Sequence, residues 1–336
     1  MNVVDVPGLR RLSVVIANYN YEQFVGAAIE SALALEWPDV EVVVVDDGST
    51  DGSRSVIARY ADRVRTVLLE NGGQRAAANR GFAESTGDVV VFLDSDDLLP
   101  ADLPAHVAAH LTPKVSKVQF QMQRIDVDGN AVGSPFPDFD LVPTPGQVRS
   151  WVARTSAYPT PPGSGNAYAR WFLEAIFPVG PEVGDFIDSA CLAAAPFLGD
   201  VVSVPGVRIG YRQHGENDSN LLKVPARFGR EVERARNRWL YAQRLRGIDG
   251  STDESALFRS RELLQLRVAA CRTTPTPPAL PGDGRARMLL DSIRAPFQPG
   301  PERISRRVLV AGWSLATLVA PRALAHRLVA TRYGAR

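Results

Sequence analysis

Short β-branched runs alternate with stretches of helical period through the first 122 residues, strand first in each pair. This is the pattern of a parallel sheet covered by helices. It predicts strands at Leu12–Ala17, Val40–Val45, Val64–Glu70, Val89–Leu93 and Val115–Met122. Helices are predicted at Glu22–Leu35, Ser53–Tyr60, Arg75–Glu84 and Leu103–Leu111. Val42-Val43-Val44-Val45 and Val89-Val90-Val91-Phe92 lack polar alternation, as expected of central strands buried on both faces. After a turn at Asp126–Asn130 the pattern loosens into a Pro- and Gly-rich stretch from Ser134 to Gly165, expected to be irregular and to serve the acceptor side. Two short strands at Val201–Val204 and Arg208–Arg212 and helices at Ala226–Arg246 and Glu254–Cys271 follow, then a Pro-rich linker at Thr273–Gly284.

Ligands of such sheets bind beyond the carboxyl ends of the strands. The residues there are polar: Asn18-Tyr19-Asn20, Asp46-Asp47-Gly48-Ser49, Asn71-Gly72-Gly73-Gln74 and Asp94-Ser95-Asp96-Asp97. The carboxylates of Asp94, Asp96 and Asp97 repel one another unless a cation or donor compensates. A hard divalent ion, Mg²⁺ or Mn²⁺, suits such oxygens and shares its shell with substrate phosphates. Helix capping is the competing explanation. Capping also accounts for Ser49 and Asp51, but not for the pair Asp46-Asp47 at a strand end; a carboxylate there suits the N3–H of a uracil-like base.

Order and spacing of these blocks, from Ser13–Asn20 through Val45–Asp51 and Asn71–Gln74 with Asn79-Arg80-Gly81 to Gly87–Asp97, resemble the donor-binding half of family 2 glycosyltransferases. The resemblance is strong over about the first 125 residues and weaker over residues 163 to 220. It implies the glycosyltransferase A fold, an α/β, Rossmann-like, mostly parallel sheet flanked by helices, here with a C-terminal helical extension. It divides the chain into a donor-binding half (1–122), an acceptor-binding and catalytic half (123–225) and the extension (226–336). It implies an inverting transfer from a nucleotide diphosphate sugar, a UDP-sugar favoured, to a hydroxyl acceptor on a glycan, lipid-linked sugar or protein, in cell-envelope polysaccharide, glycan or glycolipid synthesis.

By the same resemblance Ala17, Asn18, Tyr19, Asp46, Asp47, Gly73, Gln74, Arg75, Asn79, Asp94 and Ser95 bind the donor, with Asp47 at the base. Asp94 and Asp96 match the Asp-x-Asp pair, one for ribose and one for Mn²⁺ or Mg²⁺, with Asp97 competing as a ligand. Asp185 matches the catalytic base, with Asp188 one turn on as its substitute. His214 matches a residue near the metal or diphosphate, and Arg212 is positioned to offset phosphate charge. Ala78 and Gly184 depart from the family pattern, where Arg and Glu are common, and this keeps open a catalytically inactive, membrane-bound relative. A sugar-nucleotide-forming nucleotidyltransferase would need a Gly-rich basic loop after the first strand, and a dehydrogenase a Gly-x-Gly-x-x-Gly turn; neither is present.

The formal charge of +1 argues against a nucleic-acid partner. Ten of the 38 basic residues but only two of the 37 acids, Asp291 and Glu302, lie from Arg285 onward. The segment Glu302–Arg336 joins Arg303, Arg306, Arg307, Arg322, Arg327 and Arg332 to an apolar stretch around Trp313. Two destinations fit it: the headgroup region of an anionic membrane, or packing on the protein or a second copy. The apolar run Val308–Ala320 falls short of the roughly 20 residues a spanning helix needs. Cys191 and Cys271 read as core thiols, and Met1–Arg11 lacks a signal-like apolar region. The expected location is cytoplasmic, peripheral on the inner membrane face if the tail binds lipid.

Overall fold

The computed structural model describes residues 9–139, 142–184, 187–214, 225–248, 253–274 and 278–334. In chain order the first elements are β1 (Leu12–Asn18), α1 (Val25–Leu33), β2 (Val40–Asp47), α2 (Ser53–Ala58), β3 (Arg65–Leu69), α3 (Gln74–Glu84), β4 (Val89–Asp94), α4 (Leu103–His110) and β5 (Val115–Ile125). Then come α5 (Pro145–Thr155), β6 (Asn166–Ala169), α6 (Arg170–Glu174), α7 (Ile187–Leu198) and β7 (Asp200–Arg212). The remaining helices are α8 (Arg227–Leu245), α9 (Ser255–Arg259), α10 (Arg261–Thr273), α11 (Arg285–Arg294), α12 (Ile304–Val319) and α13 (Arg322–Tyr333). The chain divides into two units, Met1–Gly146 with Pro159–His214, and Gln147–Tyr158 with Gly215–Arg336.

The first unit holds one seven-stranded sheet in the order β3-β2-β1-β4-β6-β5-β7. β3, β2, β1 and β4 are parallel to one another, β6 is antiparallel to both β4 and β5, and β5 is parallel to β7. The unbroken valine runs are explained by burial on both faces. Val14, Ile16, Val42, Val44, Val89 and Val91 join Val25, Ala28 and Ile29 of α1 in one core cluster. Val15, Val43, Val45 and Val90 are buried on the opposite face, and α3 packs on β1 and β2. Each such side chain contributes about 1.5–3 kcal/mol of transfer free energy, so a central strand cannot slip register without large loss.

Three expectations change. The stretch expected to be irregular from Ser134 to Gly165 contains α5, whose Val148, Val152 and Thr155 recur at helical spacing and are buried. Pro145 stands at its first position, where a missing N–H costs nothing, so the proline that suggested a loop starts the helix. The two strands expected at 201–204 and 208–212 are one strand, β7, whose register on β5 jumps between Phe120↔Val204 and Gln121↔Arg208. Pro205 and Gly206 fall in that irregularity, where a missing donor and a positive φ are tolerated. The helix expected at 254–271 is broken at Ser260, which is extended and caps α10 by accepting a hydrogen bond from Leu263 N at 3.2 Å.

In the second unit Leu264, Val268, Met288, Ala295, Ala311 and Leu318 of α10, α11, α12 and the intervening turn form one cluster. Arg267 is buried at its edge and donates to Asp283 at 2.8 and 2.6 Å and to Asp291 at 2.9 Å. The Pro-rich segment read as a linker is therefore anchored at its far end through Asp283.

Candidate active site

The parallel strands end in step. Asn18 lies opposite Asp46, and Ala17 lies opposite both Val45 and Asp94, which brings the ends of β2, β1 and β4 to one rim. Asp46 is fully buried and points inward. It accepts hydrogen bonds from Asn18 Nδ2 at 3.1 Å, Ser49 N at 3.1 Å and Arg54 Nε at 2.7 Å. Burial opposes its ionisation, but the hydrogen bonds from Ser49, Arg54 and Asn18 outweigh that and hold its carboxyl below the usual range. Asp46 thus braces the loop. Gly48 makes the turn at φ +77°, and a Cβ there would meet Asn71 N at 2.6 Å, so the β2 and β3 loops can touch only through glycine.

Asp47 spans to the third loop. Its Oδ1 accepts from Gly72 N at 2.9 Å and its Oδ2 from Gly73 N at 2.8 Å. Each oxygen keeps a second lone pair for a ligand donor. Gln74, at the start of α3, donates to Asp94 Oδ1 at 3.3 Å. Tyr19 follows β1 on the rim and is 44% exposed. Arg75 and Asn79, expected at the donor, instead reach Val179. Asn79 donates to its carbonyl at 3.0 Å and accepts from its N–H at 2.8 Å, so both ends of the amide hold backbone. Arg75 lies 3.5 Å from the same carbonyl.

The acidic loop after β4 is clamped across the sheet. Leu98 and Gly210 exchange backbone hydrogen bonds at 3.0 and 2.8 Å, which joins the loop to β7. Asp97, buried, accepts from Arg212 N at 3.1 Å, so the structure turns it toward β7. Arg212 is itself 4% exposed and donates to the carbonyls of Asp96, Asp126 and Val127. The expectation that Arg212 offsets phosphate charge is corrected on that ground: its donors serve as a strut under the loop. Ser95 Oγ is similarly committed, donating to Ala17 O at 2.9 Å.

What remains directed to the rim is Asp94, Asp96 and His214. His214 Nε2 lies 2.9 Å from Asp96 Oδ2, and its ring stacks on Phe24 with centroids 5.1 Å apart. Asp94 N donates to Ser164 Oγ at 3.0 Å. Burial, then the charges of Asp96 and Asp188, push the Asp94 carboxyl up to about 7. Carboxylates whose charges act on one another, as those of Asp94 and Asp96 do, are the chemistry that accepts a hard divalent ion. Among the described residues no three His, Cys, Asp or Glu side chains already form a cage. A metal held by Asp96 with Asp94 or His214 would therefore complete its shell with phosphate oxygens, as Mg²⁺-type sites do. Asp188 lies in the first turn of α7; Asp185 lies outside the described residues.

Arg54 and Phe24 escaped the sequence reading as parts of the site: Arg54, in the first turn of α2, carries no local signature, and Phe24 arrives by topology. Ser49 had a capping signal as well as its place at the strand end.

Residues 13–161 match the family model described as glycosyl transferase family 2. These residues are a domain of this family. It is 36% identical over 220 residues to the uncharacterized glycosyltransferase alr2836 of Nostoc sp., covering 62% of this chain and 66% of that protein. It is 40% identical over 104 residues to the succinoglycan biosynthesis protein ExoO of Rhizobium meliloti, covering 30% of each. Over 95 residues it is 33% identical to the glycosyltransferase GlyA of Streptococcus pneumoniae, covering 27% of this chain and 14% of that protein. The chain thus spans less than two thirds of the length of each of these relatives. Among solved structures, TarS residues 1–349 of S. aureus, in complex with UDP-GlcNAc, superposes with a TM-score of 0.54 at 15% identity, covering 92% of this chain and 90% of that one. The mannosyltransferase PcManGT of Pyrobaculum calidifontis, in complex with GDP-Man and Mn²⁺, gives 0.51 at 21% identity, covering 95% and 84%. These likenesses establish the glycosyltransferase A fold for this chain.

Proposed function

We propose that this glycosyltransferase transfers a sugar, with inversion, from a nucleoside diphosphate sugar to a hydroxyl acceptor of a cell-envelope polysaccharide, glycan or glycolipid. One observation carries the proposal: at the end of β4, beside the loops of β1 and β2, Asp96 meets His214 at 2.9 Å and its charge acts on the carboxyl of Asp94. Support for the donor class comes from the fold relatives, one solved with UDP-GlcNAc and one with GDP-Man and Mn²⁺; the resemblance of Asp47 to a base-binding aspartate favours uridine. The name of the succinoglycan relative favours a glycan acceptor.

Asn18, Tyr19 and Asp47 hold the nucleoside, with Gly73 and Gln74 bordering it. Asp96, with Asp94 or His214, would hold Mn²⁺ or Mg²⁺, which would supply positive charge to offset the negative charge of the departing diphosphate. Asp185 takes the proton of the acceptor hydroxyl, with Asp188 as its substitute. The acceptor oxygen then forms its bond to the anomeric carbon on the face opposite the diphosphate as the bond from that carbon to the diphosphate oxygen breaks and the nucleoside diphosphate leaves.

A thermal-shift panel of nucleotide sugars with and without Mn²⁺ tests the proposal, because a ligand bound only by the folded state raises Tm. One donor is expected to stabilise the protein, more strongly with metal. Asp185→Asn is expected to abolish transfer while leaving that shift intact. A panel without any stabilising donor would overturn the proposal, and undiminished transfer by Asp185→Asn would move the base to Asp188.

A further inference from the structure

Helix α12 is apolar on two sides, and the second unit's core accounts for only one. Val310, Ala311, Ser314, Thr317 and Leu318 are buried. On its outer side Leu309, Gly312, Ala316 and Val319 recur at spacings of three, four and three, all exposed, with Leu309 and Val319 each 70% open to solvent. Ile304 and Val308 extend the stripe. A helix apolar all round needs a second apolar environment. α11 and the turn Ala295–Phe297 pack on α12 and add Leu290, Ile293 and Phe297, spaced to share one helical face, with Phe297 86% exposed. Among the described residues, eight of the fifteen exposed large apolar side chains fall between Leu290 and Leu324, a concentration that marks an interaction surface.

The charge around this surface selects its partner. Arg294, Arg303, Arg306 and Arg322 are exposed there. The two acids of the segment are engaged within the unit: Asp291 is buried against Arg267 and Arg287, and Glu302 is paired with Arg261. A second copy laid on this face would set arginines against arginines, whereas anionic headgroups complement them. At 16 residues α12 is roughly 24 Å long, short of the hydrocarbon thickness of about 30 Å. No helix among the described residues is long and apolar enough to cross a membrane.

We propose that the face formed by α11, the Ala295–Phe297 turn and the outer side of α12 docks, lying flat, on an anionic lipid surface. The structure shifts this surface toward the N-terminus of the segment that composition suggested. Trp313 faces inward, donating to Leu328 O at 3.1 Å and meeting Tyr333 edge-on. Arg307 is spent on the carbonyls of Gln298, Gly300 and Glu302, and Arg332 donates to Gln265 at 3.2 Å. Leu290, Ile293 and Phe297 take their place.

The test is sedimentation of the full chain with vesicles of phosphatidylcholine alone or mixed with phosphatidylglycerol, and it is independent of sugar transfer. The protein is expected to pellet with the mixed vesicles and not with the neutral ones. Each surface arginine contributes about fivefold to partitioning, so Arg294→Gln with Arg306→Gln weakens it about thirtyfold. Phe297→Ser with Leu309→Ser weakens it at least about tenfold, with unchanged Tm because both side chains are exposed. Pelleting with neither vesicle, equal pelleting with both, or undiminished pelleting of both double variants would overturn the proposal. So would a dimer in sedimentation velocity that Phe297→Ser with Leu309→Ser splits, which would assign the face to a second copy.

Discussion

His214 and Asp96 meet at 2.9 Å across 118 residues of chain, at the edge where β4 and β7 end. The contact depends on a small set of backbone ties: the Leu98–Gly210 pair, the Asp97–Arg212 N–H bond and the Arg212–Asp96 carbonyl bond. Together they make β7 the support of an acidic loop that belongs to β4.

His214→Ala is expected to weaken Mn²⁺ binding in the presence of a nucleoside diphosphate about 10- to 100-fold, the range for lost ligands and their orienting partners. Isothermal titration with Mn²⁺ measures it. Equal metal affinity in the variant would remove His214 from the site and leave it a packing residue on Phe24.

Arg212→Met removes donors to three carbonyls while keeping much of the side-chain volume. A loss of about 3 kcal/mol in urea unfolding is expected, because buried acceptors lose a charged donor. Transfer should fall as well, since the carbonyl tethered beside Asp96 is freed. Loss of stability with full kcat would separate the strut from the loop's geometry.

Asp47→Ala releases the Gly72 and Gly73 N–H groups. Partial exposure lets water replace the carboxylate, so the stability cost is only about 1–2 kcal/mol. Nucleotide affinity is expected to drop much further, read by titration with UDP, because both a ligand acceptor and the shape of the loop are lost.

Asp46 gives a pH signature. Its folded-state pKa lies below the ordinary carboxylate value, so its contribution is complete above the unfolded pKa of about 4 and is lost as pH falls through the folded value. Wild type should lose stability steeply on acidification below about pH 4, and Asp46→Asn, less stable at neutral pH, should show a shallower acid limb in urea midpoints. Parallel limbs would mean that another carboxylate dominates.

In the second unit, Arg267→Met leaves Asp283 buried without its cation and Asp291 with Arg287 alone. Destabilisation of about 3–5 kcal/mol is expected in chemical unfolding, and Asp283→Asn with Asp291→Asn in the same chain should recover part of it.

Local chemistry wrote much of this protein into its sequence. Valine runs specify strands that must be buried on both faces, and each strand must then end in polar residues, so Asn18, Asp46, Asp47, Asp94 and Asp96 are visible as rim residues from periodicity alone. The resemblance added the family because those blocks keep their order and spacing. The tertiary structure decided which polar groups stay directed to the rim and which are consumed. Asp46, Ser95, Asp97 and Arg212 look like site chemistry in one dimension, yet buried polar atoms need partners, and backbone amides, carbonyls and one guanidinium supply them. The same holds for the C-terminal helices: composition shows that arginine and apolar residues are mixed, but only packing determines that Trp313 turns inward while Phe297 and Leu309 remain outside. Which side of a helix faces the core depends on its neighbours in space, and no local stretch of chain encodes them.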